Sequence, residues 1–477
     1  MRILLYNWIP FDDKNGRGGG VTVYLKNLID EMVKEHSPNI EVFFLSSGCY
    51  YDIYNEETRV EETSNVYGKK CRTFSIINSP VFSPGYLSFY YLDKVLYDET
   101  LKDVFYKFLN EYGPFDAVHF HNLEGVSIQL LACKKDYPKT KFIYTLHNYY
   151  PFCPQINLWK EERRNCNIQD TGEICMKCMD QHVPAEKLRR KMAMTYNLVK
   201  NPSENLAKAY KYCGSQLDSY FEKFEKSDLS EEDYKRVVDA LKQFRQYFVE
   251  MINTNIDLVL AVSERVREIA IRMGIQKERL TVSYIGTKAA DFALNHANCT
   301  CLKKEPFSLI YMGYQRIDKG YYFLAEVLNN MPEAIAKKID VTLLAKKYPN
   351  SKYKDTQINE DKFHSFIAKD GYLKDEMQSL LMNKHLGIIP VLWEDNLPQV
   401  AIEMTAYGVP ILTSDLGGAS ELCGDKAFVF HAGDVNDCIN KIINFVSHPE
   451  ILEKYWENYK GLKTMKEHLK ELIEHWS

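Results

Sequence analysis

No stretch of this sequence approaches the roughly eighteen consecutive apolar residues that a membrane-crossing helix requires, so a transmembrane protein is not expected. The opening MRILLYNWIPFDD is too short, and turns acidic too soon, for a secretory leader. A cytoplasmic protein is the expectation. An excess of one charge is also missing: 60 Lys and Arg stand against 65 Asp and Glu, which leaves no strong field to attract nucleic acid. Internal repeats and low-complexity tracts are absent. The twelve cysteines do not make a disulfide framework in a chain of this size. What the sequence does have is length, since 477 residues exceed one ordinary hydrophobic core and call for two domains or more.

The amino end alternates in the manner of a doubly wound sheet. MRILLYNW reads as a strand, a loop ending in GRGGG follows, then a helix from about Val21 to Lys34, then IEVFFLS as a second strand. Gly18, Gly19 and Gly20 let a ligand approach the backbone at the start of that helix, although they lack the spacing of a dinucleotide fingerprint. Two further apolar runs, FDAVHFHN and KFIYTLHN, place His121 and His147 at their carboxyl ends. That is one rim of the sheet, where ligands of such folds bind. From Glu186 to Ile252 the chain is polar and helical, with Val237, Leu241, Phe244, Phe248 and Met251 on one face and a Ser230–Asp233 capping signal. This reads as a helical insertion. Its basic run, Lys187 to Lys191, reads as a solvated face that admits contact with an anionic membrane surface or an acceptor phosphate. IDLVLAVS and LTVSYIG resume the sheet. A boundary falls near Asn295 to Pro306, after which strands and helices alternate again, and the last thirty residues read as amphipathic helices that pack back across the domains.

The stretch WEDNLPQVAIEMTAYGVPILTSDLGGASEL, Trp393 to Leu422, is the densest in signals. LGIIPVLW before it and VPILTS within it read as buried strands. Between them Asn396 can cap a helix opening at Leu397 or Pro398, about three turns long and ended by Gly408. In a strand, helix, strand unit of this kind, helix N-termini aim N–H groups at an anion, so a phosphate-bearing ligand is the natural occupant. Asp395 and Glu403 lie eight positions apart, a span of roughly 12 Å if helical. That is too far for a shared proton and long enough to hold two ends of one extended molecule.

The glycine loop of the first domain, GYQRIDKG opening the second, and an acid eight residues ahead of a glutamate followed by DLGGASE together resemble the retaining GT-B glycosyltransferases of glycosyltransferase family 4. The resemblance covers nearly the whole chain and is most specific from Gly313 to Glu421. It implies an α/β fold of GT-B architecture: two doubly wound Rossmann-like domains facing a cleft, with a helical insertion in the first. The domains would be residues 1–298 on the acceptor side, with the insertion at about 186–252, residues 299–447 for the nucleotide sugar, and 448–477 as helices returning across both. The activity implied is transfer of a sugar from a nucleoside-diphosphate sugar to a carbohydrate or lipid-linked glycan, with retention of anomeric configuration, in surface polysaccharide synthesis. Two other readings stay open, a catalytically silent nucleotide-sugar-binding subunit and a GT-B epimerase.

The resemblance also implies roles. Glu403 would hold the ribose hydroxyls of the donor, and either Asp395 or Glu394 would face the donor sugar. The family's phosphate clamp pairs an arginine after a glycine with a lysine five residues on; Lys319 matches, but Tyr314 stands in the arginine position and Arg316 comes two residues later. Arg316 is therefore expected to act as the second cation. Gly19, Gly20, Asn396, Leu397, Pro398, Gly417 and Gly418 would complete the donor site, His121 would lie near the transferring carbon and His147 near the acceptor. No D-x-D motif occurs, so no catalytic metal is implied. Cys153, Cys166, Cys175 and Cys178 cluster with one C-x-x-C at the end, and a structural zinc is the expectation there. The aromatic stretch Val81 to Tyr97 is a candidate acceptor or membrane-facing surface, with buried helix packing as the other explanation.

Overall fold

The computed structural model of the chain describes residues 1–13, 17–35, 39–160, 164–167, 171–178, 185–210, 230–292, 305–347 and 357–477. The expected boundary around Asn295 lies mostly outside these residues. Sixteen strands are present in them. In the first part of the chain these are β1 (Arg2–Tyr6), β2 (Glu41–Ser47), β3 (Arg59–Thr63), β4 (Cys71–Ile77), β5 (Ala117–Phe120), β6 (Lys141–Leu146), the short pair β7 (Trp159–Lys160) and β8 (Arg164–Asn165), β9 (Leu258–Ala261) and β10 (Leu280–Val282). The second part has β11 (Phe307–Tyr314), β12 (Ile339–Lys346), β13 (Ser365–Lys369), β14 (Leu386–Ile389), β15 (Ile411–Ser414) and β16 (Val429–Phe430).

Fourteen of them form two open sheets, ordered β10-β9-β6-β5-β1-β2-β4-β3 and β13-β12-β11-β14-β15-β16, and β7 and β8 make a separate antiparallel pair. Within the two sheets every pairing is parallel except β3 with β4. The central strands are continuous apolar runs, as in FSLIYM of β11, because helices cover both faces and leave no side for polar alternation. Strand order reverses at β1 in the first sheet and at β11 in the second. A crevice opens at the carboxyl ends of the strands at each reversal. The helix Gly19–Glu35 connects β1 to β2, and the helix Gln399–Ala406 connects β14 to β15.

The latter helix starts later than the spacing suggests. Leu397 precedes a proline and is steered away from helical backbone, and Pro398 is itself extended at ψ 128° and becomes the N-cap. Asn396 therefore lies too far upstream to cap, and the helix is eight residues rather than three turns long. In the insertion, helices run Ala185–Lys200 and Glu231–Asn255. The Ser230 hydroxyl accepts from the Asp233 amide at 3.1 Å, and Val237, Leu241, Phe244 and Phe248 are buried as their spacing indicates. The aromatic stretch is mostly core: Val81, Phe82, Leu92, Val95 and Leu96 are buried, while Tyr86 and Tyr97 are half exposed. Among the described residues no helix is long and apolar enough to cross a membrane.

The helix Met465–Trp476 opens on a capping box of Thr464 and Glu467 and packs on the Gly19–Glu35 helix of the first domain. Its Leu469, Leu472 and Trp476 are buried. Trp476 donates its indole N–H to Nδ1 of His119 at 3.2 Å, and Nε2 of His468 lies 2.7 Å from the Tyr24 hydroxyl. His119, His121 and His468 are thereby enclosed, with relative exposures of 0, 0 and 2 %. Burial, then the charges of Lys463 and His475, push the His468 imidazole down to about 3.

That depression links folding to proton release. The unfolded chain takes up the His468 proton near pH 6.5, while the folded chain keeps the ring neutral down to about pH 3. Between those values each such histidine removes about 1.4 kcal/mol of stability per pH unit of acidification. Urea midpoints between pH 7.5 and 5 should fall for the natural chain, and His468→Gln should show a shallower fall; parallel slopes would assign the acid sensitivity to other groups.

Candidate functional site

The two crevices face each other across a cavity of about 540 Å³, within the usual range for small-molecule sites. The first domain contributes the start of the Gly19–Glu35 helix, Tyr24, His147 and Asn148; the second contributes Gly313 and Tyr314 at the end of β11, Lys319, Tyr372, Pro390 to Val391, Trp393, Asp395 to Val400, and Glu403. Gly19 has φ +57°, and a side chain on Gly20 would approach Gln399 to 3.1 Å, so the starts of the two facing helices come close. Of the expected residues, Gly19, Gly20, His147, Lys319, Asp395, Asn396, Leu397, Pro398 and Glu403 line this cavity.

Local geometry explains the positions. Gly320 has φ +72°, and a Cβ there would lie 1.6 Å from the Pro390 carbonyl oxygen, so only glycine lets the turn after β11 press against the end of β14. Asp318 C=O accepts from the Leu392 amide at 2.9 Å and fastens the same contact. The result brings Lys319 Nζ to 2.6 Å from Asp395 Oδ2 and to 4.9 Å from the centre of the Trp393 ring. On the helix beyond, Glu403 faces the cavity next to Tyr372, whose phenol is pushed up by burial and by the Glu403 carboxylate. Two donors, Asn396 Nδ2 and Trp393 Nε1, are buried with no hydrogen-bond partner among the described residues. Leaving such a group unmet costs on the order of 1–3 kcal/mol.

The rim histidines meet as their strand ends suggest. His121 Nδ1 is 3.2 Å from His147 Nε2, and Tyr24 packs against both rings. His147 reaches the cavity while His121 lies behind it against His119. Burial, followed by neighbouring histidines, pushes His121 far down, and burial with His468 pushes His147 down to about 3. Both rings are neutral near pH 7, so they contribute hydrogen bonds and not charge. Next to His147, Asn148 donates to the buried carboxylate of Glu124 at 3.0 Å.

Three expectations are corrected. Arg316 forms a two-pronged pair with the buried Asp318, at 2.8 and 2.9 Å, and does not line the cavity: an acid two positions away on the same turn captures it. Gly417 donates its amide to Glu394 Oε2 at 3.0 Å and Gly418 donates to Asp395 C=O at 2.8 Å, so these amides secure the acidic loop instead of forming an anion cradle. Glu394 turns away from the cavity to Arg265, whose Nε reaches it at 2.8 Å, which leaves Asp395 as the acid that faces inward. Among the described residues no disulfide joins Cys153, Cys166, Cys175 and Cys178, and no group of three or more His, Cys, Asp or Glu is arranged to hold a metal ion. Three of the four, Cys153, Cys166 and Cys175, pack against the apolar core. Arg265, Tyr24, Tyr372 and Trp393 carry no spacing signal that singles them out. Arg265 is 129 residues from Glu394, and only the fold joins them.

The sequence profile of the family described as glycosyl transferases group 1 matches residues 306–448. No curated protein matches the chain as a whole or in part. Among solved structures, sucrose-phosphate synthase from Thermosynechococcus elongatus is similar at 15% identity over 99% of this chain and 94% of that one, with a TM-score of 0.54. HepE of Anabaena in complex with UDP is similar at 13% identity over 100% and 95% of the two chains, TM-score 0.52. Trehalose-6-phosphate synthase OtsA is similar at 12% identity over 100% and 99%, TM-score 0.53. At these identities the likeness is one of fold: the chain has the two-domain Rossmann-like GT-B architecture, and its second domain carries the group 1 glycosyl transferase signature.

Proposed function

We propose that the protein transfers a sugar from a nucleoside-diphosphate sugar to a carbohydrate or lipid-linked glycan acceptor, with retention of anomeric configuration and without a catalytic metal. The observation that carries the reading is the convergence, in one cavity, of Lys319, Glu403, two helix starts and two buried donors that find no partner among the described residues. A diphosphate brings the negative charge and a ribose the vicinal hydroxyls that such a set matches. HepE of Anabaena has been seen with UDP and with UDP-glucose, and the Escherichia coli trehalose-6-phosphate protein with UDP-2-fluoro glucose, which supports a nucleotide sugar as occupant.

In this reading Glu403 accepts from the ribose hydroxyls, and Asn396 and Trp393 donate to oxygens of the diphosphate or sugar. Cleavage of the anomeric bond leaves extra charge on the departing diphosphate. Lys319 and the N-terminal amides of the Gly19–Glu35 and Gln399–Ala406 helices stabilise that charge more than they stabilise the bound donor, which is what lowers the barrier. Asp395, freed when Lys319 turns to phosphate, faces the sugar. The acceptor enters past His147 and attacks the face the diphosphate is leaving, and the leaving phosphate helps to take the acceptor's proton. Growth of a surface polysaccharide is the setting such a transfer fits.

The first test is ligand-dependent stability. Nucleoside diphosphates and their sugars should raise Tm with the logarithm of concentration, and a matching acceptor should produce transfer; binding without transfer or hydrolysis under any acceptor would point to a silent binding subunit. Glu403→Ala should weaken nucleoside diphosphate and nucleotide sugar alike by about 1.5–3 kcal/mol, the scale of a charged hydrogen bond, as read by calorimetry.

Lys319→Ala should lower turnover by about a hundredfold or more, while donor affinity falls much less. Arg316→Ala should keep turnover near normal and lower Tm, because it strips the buried Asp318 of its ion pair. Steady-state rates and thermal melts of the two variants decide the matter: a dead Arg316→Ala enzyme of normal Tm would return the clamp to Arg316.

A further inference from the structure

Arg265 opens the helix Glu264–Arg272 just beyond β9, in the first domain, yet both its side chain and its backbone are bound by the second. Its Nε donates to Glu394 Oε2 at 2.8 Å and its Nη2 to Oε1, a two-pronged contact. Its amide donates to Glu421 Oε1 at 2.8 Å, and that carboxylate also accepts from the Glu264 amide at 2.9 Å and the Tyr284 hydroxyl at 2.7 Å. Neighbouring contacts run the same way. Ser263 Oγ donates to Asn396 C=O at 2.9 Å, and the Asn165 side chain accepts from the Glu394 amide at 3.2 Å while donating to Leu392 C=O at 3.1 Å. Glu394 is 6 % exposed and holds the Gly417 amide with the oxygen that takes Arg265 Nε. One carboxylate thus ties a first-domain arginine to both loops of the second domain that border the cavity.

We propose that Arg265 is a positioning residue for transfer: it acts through Glu394 to hold Asp395 and the Gly417 loop in the arrangement that the sugar end of the donor needs, and so couples closure of the two domains to the geometry of the site. The inference rests on the function proposed above. Without the guanidinium, a nearly enclosed Glu394 carboxylate loses its only two-pronged partner among the described contacts and moves towards water, carrying Asp395 with it. The nucleotide end, held at Glu403 on the second domain, does not depend on this contact. The expected signature is therefore a loss of turnover with nucleotide binding retained.

The test uses the full chain with Arg265→Ala, Arg265→Lys, Glu394→Gln and the double variant Arg265→Ala/Glu394→Gln, and Arg267→Ala, which pairs with Glu264 on the same helix, as control. Turnover should fall about tenfold or more in each single alanine or glutamine variant, and the double variant should be no worse than Arg265→Ala alone, because both changes remove one contact. UDP affinity by calorimetry should stay within about threefold. Amide hydrogen exchange across residues 415–418 should quicken in Arg265→Ala, with Arg265→Lys between it and the natural chain. Losses that multiply in the double variant, UDP affinity that falls in step with turnover, or unchanged exchange at Gly417 would each overturn the proposal. If the natural chain binds no nucleoside diphosphate, the function fails, and the exchange measurement still judges the contact.

Discussion

A short acidic segment between two domains has to have its charges and its backbone groups met from both sides, and the geometry of the cavity follows from how that is done. Residues 393–396 carry two adjacent carboxylates and almost no exposure beyond Trp393. Lys319 meets one acid from within the second domain and Arg265 meets the other from the first. Gly417 and Gly418 approach so closely that a Cβ on either would lie 2.2 Å from a carbonyl oxygen of Asp395 or Asn396. Buried charge is tolerated only when each partner is in place. The arrangement therefore leaves little freedom in where Asp395, Asn396 and the following helix can point.

The same arrangement sets the electrostatics a ligand meets. The imidazoles at the rim are held neutral by burial, so the positive potential comes from Lys319 and from helix starts. Lys319 is occupied by Asp395, whose carboxylate is largely buried while the ammonium is about a quarter exposed. An anionic ligand that takes the ammonium over has to leave that carboxylate met by some other group. The lysine is parked beside its target rather than dispersed in water, and the ring of Trp393 beneath it limits where it can swing.

Much of this is legible in the sequence, for a physical reason. Buried parallel strands announce themselves as apolar runs, and a residue just past a strand end is on the rim, which is how His121 and His147 come together from positions 26 apart. Asp395 and Glu403 are set by the reach of a single helix and its entry. Legibility stops where the partner is decided by the third dimension. Arg316 looks equivalent to Lys319 in the turn after β11, but the side chain of Asp318, two positions on, captures it. The glycines of DLGG have amides suited to an anion, but Gly417 meets the protein's own Glu394 carboxylate and Gly418 the Asp395 carbonyl. Asn396 has the right chemistry for a cap, and the proline two residues later moves the helix away from it. Arg265 leaves no trace at all, because nothing local marks an arginine whose partner is 129 residues downstream.

The helix Met465–Trp476 has a bearing on how the molecule is made. It follows both sheets in chain order, yet it closes over the first, with Trp476 meeting a histidine 357 residues earlier. A domain released first from the ribosome ordinarily matures first. Here the opening half must wait, its histidine-lined flank still hydrated, until the second sheet has been synthesised. Long-range closure of this kind slows folding, and it makes the two halves cooperative in a way their separate cores do not require. A chain interrupted between the second sheet and this helix would carry a finished second half and an unfinished first, a species that quality-control proteases can distinguish by its uncovered apolar stripe.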